Sequence, residues 1–359
     1  MPLTASWKKH TLIFRFEAGT SRGVLTTKDT WYLQIHDTEN PSIVGIGECG
    51  PLKGLSPDDR PEMEEKLREF CANISSLSLI NFSTATLLQQ FSLHEYPSVL
   101  FGLETALLDL QQGGKRVIIP SSFSSGHTSI PINGLVWMGD EKFMRIQLEE
   151  KIAQGYSCIK LKIGAINFDS EIGLIQSIRK HFSPEQITIR VDANGAFGFE
   201  EAKEKLKILS DYSIHSIEQP IKAGQPEQMR ALCAQTPLPI ALDEELIGIK
   251  SLKEKKQLLD FIRPQFIILK PTLVGGLSMS QEWIRLAEER NIGWWITSAL
   301  ESNIGLNAIA QFTASLPITM PQGLGTGQLY HNNIPSPLTI KNGQLFYQPS
   351  LNWDMAVLK

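Results

Sequence analysis

The amino-acid sequence predicts an α/β barrel that follows a smaller α+β domain. Three observations predict this fold class. Short runs of alternating apolar and polar residues come first, strands and helices then alternate strictly after Gly126, and a charged residue recurs near the end of five successive strands. Eight predicted strands, separated by helices within 126–330, suit a closed barrel better than an open doubly wound sheet.

The N-terminal region, 1–125, is predicted to be the α+β domain. Residues 10–48 alternate apolar and polar side chains in short runs separated by Gly and Asp, a pattern typical of an antiparallel β-meander. From Pro57 to about Gln112 the apolar spacing becomes helical, most clearly in SVLFGLETALLDLQQ. Strands followed by helices indicate a small domain of their own.

The region 126–330 is predicted to form the barrel, since parallel strands need helical crossovers between them. The predicted strands are Ile130–Val136, Cys158–Ile163, Ile187–Val191, Ile214–Glu218, Pro239–Leu242, Phe266–Lys270, Gly293–Thr297 and, more weakly, Thr319–Leu324. The predicted helices are Lys142–Gln154, Phe168–His181, Glu200–Ser210, Pro226–Gln235, Leu252–Leu259, Leu277–Arg290 and Ile304–Ala314. The tail, 331–359, contains the hairpin-like segment LTIKNGQLFY and is predicted to return to the N-terminal domain.

The composition is that of an ordinary globular protein and disfavours several function classes. The net charge of −4 gives no electrostatic reason to expect nucleic acid or an anionic membrane as a partner. We expect neither a membrane span nor a secretory signal, because the apolar stretches are short and the first residues lack the signal pattern. No glycine fingerprint for a dinucleotide or a phosphate follows any predicted strand. The scattered cysteines favour a reducing, cytoplasmic compartment: Cys49, Cys71, Cys158 and Cys233.

The most informative residues lie where the predicted barrel strands end. Lys160 and Lys162 are two residues apart in CIKLKIG, so their side chains share one face of the second strand. The third strand ends in IRVDANG, which places Arg190, Asp192 and Asn194 on one face. The next three strands each end in a charged residue: Glu218, Asp243 and Lys270. Barrel enzymes build their active sites at this end of the strands.

Neighbouring strands should bring Asp192, Glu218 and Asp243 to one point, where three ionised carboxylates would repel each other strongly. A hard divalent cation resolves this repulsion. An all-oxygen ligand set favours Mg²⁺, with Mn²⁺ as the second choice. Strands two and six are opposite each other in an eight-stranded barrel, so Lys162 and Lys270 are predicted to face one another across the mouth.

This set of residues suits removal of a proton from the carbon next to a carboxylate. The resulting enediolate carries two negative charges, which a metal ion and a lysine ammonium group stabilise as they develop. Lys162 is the predicted base. Any single acid at a strand end is more often a helix cap or an ion-pair partner. The joint order of lysine, three acids and lysine on consecutive strands favours the catalytic interpretation.

Segments along nearly the whole chain resemble the enolase superfamily, in the branch of the muconate-lactonizing enzymes. They include GIGECGPLKGLSPDD at 45–59, SVLFGLETALLDL at 98–110 and the five charged strand ends. The resemblance implies a modified TIM barrel of the (β/α)7β type with an N-terminal α+β capping domain that closes over the substrate. Three segments are most similar to the o-succinylbenzoate synthases of menaquinone biosynthesis: INGLVWMG (132–139), ILKPTLVGG (268–276) and ITSALESNIGLNAIAQ (296–311).

The resemblance also implies roles for individual residues. Lys160 and Lys162 match a Lys-x-Lys motif whose second lysine is the catalytic base, and Lys270 matches the opposing catalytic lysine. The implied metal ligands are Asp192, Glu218 and Asp243. The implied substrate contacts are Lys160, Arg190, Asn194, Ser298 and Gly323. The two closing loops of the capping domain would be Gly19–Leu25 and Gly50–Ser56.

The implied activity is that of a carbon–oxygen lyase, which removes water from a cyclohexadiene carboxylate bearing a hydroxyl and a succinyl group. A dipeptide epimerase or an N-succinylamino acid racemase would use the same two lysines as alternating acid and base. The segment QGLGTGQLY at 322–330 has no acid to receive a dipeptide's ammonium group, which disfavours dipeptides but not N-succinylamino acids. A barrel that only binds is disfavoured because all five charged strand ends are present. The sequence leaves the oligomeric state open.

Overall fold

The N-terminal layer is an antiparallel sheet of three strands. The computed structural model describes residues 2–20, 23–79 and 82–358. The strands are β1 (Leu3–Thr20), β2 (Gly23–Asp37) and β3 (Asn40–Cys49), and they pair in the order β1-β2-β3. A two-residue turn joins β2 to β3, with Asp37 opposite Asn40. This is the predicted meander, and its length follows from the long alternating pattern.

In the described part of this domain the α-helices are α1 (Met63–Asn73), α2 (Thr84–Phe91) and α3 (Pro97–Gln111). Helix α3 is buried over most of its surface, because it packs on β3 on one side and on barrel helices on another. Its approach to β3 requires glycine, since a Cβ atom on Gly47 would lie 1.8 Å from the carbonyl oxygen of Gly102. The sequence interpretation missed α2, whose eight residues are too few to display a helical period.

Seven parallel strands form the barrel sheet, and their order in the sheet follows their order in the chain. The strands are β5 (Gly134–Val136), β6 (Cys158–Lys162), β7 (Thr188–Asp192), β8 (Ser216–Glu218), β9 (Ile240–Leu242), β10 (Phe266–Leu269) and β11 (Gly293–Ile296). The helices between and after them are α4 (Glu141–Ala153), α5 (Phe168–Arg179), α6 (Phe199–Ser210), α7 (Pro226–Gln235), α8 (Leu252–Ile262), α9 (Pro271–Val274), α10 (Gly276–Glu288) and α11 (Asn303–Ala314). All seven predicted barrel helices are present; the short α9 was not predicted.

The eighth strand position differs from the prediction of a strand at Thr319–Leu324. Gln322 and Gly323 alone form parallel bridges there, to Ile132 and Thr297 respectively. Backbone hydrogen bonds of 2.8–3.1 Å join these two residues to both neighbouring strands. The barrel is therefore closed by a two-residue contact, which explains why the sequence signal for this strand was weak.

The predicted first barrel strand, Ile130–Val136, is divided in the structure. Its first part is β4 (Ser129–Pro131), which pairs with the C-terminal hairpin of β12 (Leu338–Lys341) and β13 (Gln344–Tyr347). The predicted LTIKNGQLFY hairpin is thus present and rests on the barrel. The last residues pack elsewhere, since Leu358 lies in a cluster with Tyr32 of the N-terminal sheet. The domain limits at 125 and 330 stay a prediction.

An apolar cluster joins the N-terminal sheet to the rim of the barrel. Leu12, Phe14 and Leu52 from the N-terminal domain share it with Trp137 and Leu300. The N-terminal domain therefore sits over one end of the barrel. None of the described helices combines the length and the apolar character needed to cross a bilayer.

Isoleucines on the helices that surround the barrel should contribute unequally to stability, because some are buried and others are exposed. Ile175 on α5 is fully buried, whereas Ile208 on α6 is 44% exposed. We expect Ile175→Ala to lower the free energy of unfolding by about 2–5 kcal/mol, because it leaves a cavity in the core. The matched change Ile208→Ala should stay within about 0.5 kcal/mol of the wild type. Urea denaturation measures both values, and equal losses would contradict the packing described.

Candidate active site at the mouth of the barrel

The parallel register brings the predicted charged residues onto adjacent strand ends. Lys162 is the register partner of Asp192, and Asp192 is the register partner of Glu218. Asp243 follows β9 directly, and Lys270 follows β10. Three strands, β7, β8 and β9, separate β6 from β10 in the sheet. The two lysines therefore stand on opposite walls with the acids between them, in the arrangement that the sequence predicted.

These side chains form a buried network of charges that contains two separate groups of ion pairs. The ammonium group of Lys160 lies 2.8 Å from Asp192 Oδ2 and also contacts Glu218 Oε2. Lys162 donates to the same Asp192 oxygen at 3.1 Å and to Asn194 Oδ1 at 2.5 Å. An ion pair between the Lys270 ammonium group and Asp243 Oδ2 lies at the other end of the network. Three carboxylates and three ammonium groups thus offset each other.

The network moves the pKa values of its members in opposite directions. Burial lowers the pKa of Lys160, but the charges of Asp192 and Glu218 outweigh it and raise that pKa overall. Burial raises the pKa of Asp192, yet the two lysines beside it hold it well below its usual range. The pKa of Glu218 is raised, first by burial and then by the charge of Asp192. Burial and the neighbouring acids therefore outweigh the charges of Lys160 and Lys270 in their effect on the pKa of Glu218.

The carboxylate oxygens of Asp192, Glu218 and Asp243 are suitable ligands for a hard cation, although lysine ammonium groups contact them in this structure. Among the described residues, no three acidic, histidine or cysteine side chains are arranged to hold a metal ion as they stand. The ammonium groups of Lys160 and Lys270 instead lie directly on Glu218 and Asp243. The Oε1 atom of Glu218 is buried and has no hydrogen-bond partner within the described part of the chain. A divalent cation fits this donor set if it displaces the ammonium groups.

Two residues that follow these acids have left-handed backbone conformations. Asn194 has φ of +44°, which asparagine tolerates, and Gln219 has φ of +40°, in a region that glutamine rarely adopts. The amide oxygen of Gln219 accepts hydrogen bonds from the backbone N–H groups of Asp243 and Glu245 at 3.2 and 3.4 Å. Sequence reasoning missed Gln219. Its amide ties the end of β8 to the turn after β9, and so fixes the position of Asp243.

Arg190 is buried in the barrel interior and is absent from the described lining of the cavity at the mouth. Its guanidinium group stacks on Trp295 with 4.0 Å to the ring centre, and it donates to the carbonyl oxygen of Pro321 at 2.8 Å. Burial lowers the pKa of Arg190, and Glu218 acts against that shift. Its role as a substrate contact stays a prediction.

A cavity of about 680 Å³ opens above the charged network. Four of the predicted charged residues line it, Lys160, Lys162, Asp192 and Lys270, together with Asn194, Ser298 and Gly323. Ser298 shares a 2.6 Å hydrogen bond with the hydroxyl group of Thr326. A side chain at Gly323 would collide with Thr297, so glycine keeps this wall close to the strand beside it. The cavity therefore joins the charged floor to a less charged wall after β11.

The N-terminal domain and the barrel rim supply further lining residues that sequence reasoning did not single out. Both predicted closing loops reach the cavity, through Gly23–Leu25 and through Leu52–Gly54. Ser21 and Arg22 of the first loop lie outside the described residues. The barrel contributes Asn133, Leu135, Trp137, Phe143, Thr297, Leu300 and Leu329. The segment INGLVWMG, which contains three of these, was the signal available for them.

The comparisons with known proteins agree with this architecture. A model of the enolase C-terminal domain-like family matches residues 144–349. A protein named o-succinylbenzoate synthase from Desulfotalea psychrophila is 48% identical over an alignment that covers 95% of this chain and 98% of that protein. A Bacillus subtilis protein of the same name is 28% identical over 71% of this chain and 67% of that protein.

Solved structures give the same result. The crystal structure of MenC from D. psychrophila superposes with a TM-score of 0.86 at 44% identity and covers 96% of this chain and all of that one. A muconate lactonizing enzyme from Pseudomonas fluorescens has a TM-score of 0.85 at 23% identity, covering 99% and 98% of the two chains. The latter shows the fold alone. The chain belongs to the enolase superfamily and, within it, to the family of the o-succinylbenzoate synthases.

Proposed function

We propose that the chain dehydrates 2-succinyl-6-hydroxy-2,4-cyclohexadiene-1-carboxylate to o-succinylbenzoate, a step of menaquinone biosynthesis in the cytoplasm. The observation that carries the proposal is the placement of Lys162 and Lys270 on opposite walls, with three carboxylates between them. The 48% identical relative that bears the synthase name supports the choice of substrate. The ligand is accordingly a small carboxylate, with no part for nucleic acid or a membrane.

In this reaction Lys162 removes the proton from the carbon that bears the carboxylate. It acts as the neutral amine, and the hydrogen bonds that its nitrogen donates to Asp192 and Asn194 fix where that nitrogen lies. Lys162 then returns the proton to the hydroxyl group on the neighbouring carbon, which leaves as water while the ring becomes aromatic. Lys270 stays an ammonium group and stabilises the negative charge that develops on the substrate carboxylate.

The enolase superfamily consists of metal-dependent enzymes. We assign the ligands to Asp192, Glu218 and Asp243 and propose Mg²⁺, with Mn²⁺ as a substitute, since hard oxygen donors suit both ions. The unpartnered oxygen of Glu218 supports this assignment. When bound, the metal supplies Lewis-acid stabilisation of the substrate carboxylate.

The remaining predicted residues would bind or orient the substrate. Ser298 and Gly323 line the cavity wall after β11 and would face the succinyl group. Lys160 and Asn194 line the floor. Arg190, two residues before Asp192 on β7, does not belong to the described lining of the cavity and would orient the substrate through its charge on the network. These assignments of substrate contacts are proposals that follow from the position of each residue.

N-succinylamino acid racemisation is the second candidate function. Both lysines line the cavity, so each could serve as acid or base for one face of a substrate. The segment 322–330, which includes the wall residues Gly323 and Thr326, has no acidic residue for a dipeptide's ammonium group. A dipeptide epimerase from Enterococcus faecalis, solved with Mg and a dipeptide, shares the fold at 19% identity, which does not extend its activity to this chain.

Replacing the proposed base should lower turnover strongly without harming the fold. We expect Lys162→Ala to lower kcat for dehydration by roughly 10²- to 10⁴-fold, the usual contribution of a positioned base. Lys203→Ala on α6 is the matched control, since that lysine is a partly exposed partner of Glu200 far from the cavity. Absorbance of the aromatic product gives the rate. Full turnover by the Lys162 variant would refute the mechanism.

Activity should require a metal ion that is bound by Asp192, Glu218 and Asp243. Chelation should remove activity, and added Mg²⁺ should restore it. We expect Glu218→Gln to weaken Mg²⁺ binding by about 10- to 100-fold or more. Loss of a residue that only hydrogen-bonds to a metal ligand already has an effect of this size. Calorimetric titration of Mg²⁺ measures this without turnover, and exposed Glu200→Gln serves as the control. Unchanged affinity in the Glu218 variant would remove that residue from the ligand set.

Isotope exchange separates the two candidate functions. The purified protein with Mg²⁺ should dehydrate the cyclohexadiene substrate faster than it exchanges the alpha proton of N-succinylamino acids in deuterated water. The reason is that aromatisation drives dehydration forward once the enediolate forms. Proton exchange is followed by NMR and racemisation by polarimetry. Exchange that outpaces dehydration would make the synthase reaction a side activity.

A further inference from the structure

The side-chain amide of Asn194 lies between the proposed base and a carboxylate on the turn after β9. Its oxygen Oδ1 accepts a hydrogen bond from the Lys162 nitrogen at 2.5 Å. Its NH₂ group donates to Glu244 Oε1 at 3.1 Å. Asn194 is buried and lines the cavity, whereas Glu244 is half-buried and does not belong to the described lining. Glu244 therefore contacts the cavity floor through the amide of Asn194.

The turn that carries Glu244 is tied to the strand end beside it. Glu244 begins a short 3₁₀ turn that ends at Leu246. The amide of Gln219 binds Glu245 twice, since it accepts the backbone N–H at 3.4 Å and donates to the carboxylate at 3.2 Å. The other carboxylate oxygen of Glu245 accepts the backbone N–H of Gly224 at 3.1 Å. The residue after Glu244 is thus fixed, and the turn keeps the Glu244 carboxylate beside Asn194.

The chemistry of its two partners determines which way the Asn194 amide points. A primary amide has an accepting oxygen at one end and a donating NH₂ group at the other, whereas a carboxylate can only accept. The NH₂ group must therefore face Glu244, and the oxygen must face Lys162. The reverse orientation would place the amide oxygen against a carboxylate oxygen, with no proton between these two acceptors.

This orientation matters most when Lys162 is the neutral amine. A neutral amine has two N–H bonds and one lone pair. Lys162 donates to Asp192 Oδ2 at 3.1 Å and to Asn194 Oδ1, so these two acceptors use both N–H bonds and leave the lone pair directed away from them. A reversed amide would donate its NH₂ group to that lone pair and occupy it. The ammonium form has no lone pair and holds the amide oxygen without help from Glu244.

We propose that Glu244 is a positioning residue that holds the amide oxygen of Asn194 towards Lys162 and so keeps the lone pair of the neutral amine available for the substrate proton. The lone pair forms the new N–H bond while the C–H bond breaks, and the electron pair of that C–H bond passes into the enediolate. The inference rests on the proposed function, because that function makes Lys162 the base.

Steady-state kinetics of the full-length protein with saturating Mg²⁺ test this role. Glu244→Leu removes the acceptor and should lower kcat roughly 10- to 100-fold, as a displacement of about 1 Å at a reacting group does. KM and the calorimetric Mg²⁺ affinity should stay close to the wild-type values, since Glu244 is assigned neither to the cavity lining nor to the metal. A parallel loss of Mg²⁺ affinity would place its effect at the metal and overturn the proposal.

Glu288→Leu on α10 is the matched control. Glu288 also accepts one side-chain N–H group, from Trp294 Nε1 at 3.2 Å, and it is absent from the described cavity lining. The substitution should leave kcat, KM and Mg²⁺ affinity unchanged. A fall in kcat equal to that of Glu244→Leu would mean that the loss of any such glutamate impairs the enzyme, and the specific role of Glu244 would be rejected.

A double variant shows whether Glu244 acts through Asn194. Asn194→Gly removes the amide, and glycine readily adopts the left-handed φ of +44° at this position. In that background Glu244→Leu should change kcat by less than about two-fold, because two residues that act through one contact are not additive. An equal loss of kcat in the wild-type and Asn194→Gly backgrounds would show independent action and contradict the proposal.

Carbamylation by cyanate measures the availability of the lysine lone pair without turnover. Peptide mass spectrometry gives the rate at Lys162, with partly exposed Lys203 as the internal reference. Glu244→Leu should slow the reaction of Lys162 several-fold relative to Lys203, whereas Glu288→Leu should not. An unchanged rate at Lys162 would overturn the inference. A wild-type protein that does not dehydrate the substrate would refute the proposed function, while the carbamylation rates would still decide the role of Glu244.

A second variant serves if Glu244→Leu does not fold. Glu244→Gln has nearly the same shape as the natural side chain. Its amide can present either its oxygen or its NH₂ group to Asn194, so a single orientation of the Asn194 amide is no longer imposed. Carbamylation of Lys162 should therefore still be slower than in the wild type. Equal rates in this variant and the wild type would exclude the positioning role.

Discussion

Charge neutralisation inside the barrel mouth is the constraint on which the arrangement of the site depends. Asp192, Glu218 and Asp243 occupy consecutive strand ends, and such a set is stable only with compensating cations close by. Lys160 and Lys270 provide that charge from the same sheet. Because all these side chains stand on short, rigid strands, their spacing is fixed by the parallel register and not by flexible loops.

The N-terminal domain and the barrel both line the cavity of the site. The barrel supplies a charged floor, while residues such as Leu25 and Leu52 bring apolar groups over it. Exclusion of water by such a cover strengthens electrostatic interactions with a developing negative charge. The buried contact of Glu48 with α11 holds the two domains together at the point where this cover must be accurate.

Prediction from the sequence succeeded where a regular local pattern determines the position of a residue. Strand alternation and the recurrence of a charge per strand located Lys162, Asp192 and Lys270, because register in a parallel sheet is regular. It could not locate Gln219, whose role depends on a hydrogen bond to the backbone of a turn that is distant in the sequence. It also overestimated the eighth strand, since two bridging residues leave almost no periodic pattern to detect.

The two-residue closure at Gln322 and Gly323 has a consequence for how this site varies between proteins. A full strand ladder would bind every following residue to its neighbours in register. Here the described chain from Leu324 to Gln328 continues along the cavity without strand pairing, with Gly325 and Thr326 in its lining, before Leu329 and Tyr330 bond to β1. Substitutions in this stretch can reshape the wall without shifting a strand. The seam of the barrel is thus a place where the cavity wall can change while the lysines and acids at the strand ends keep their positions.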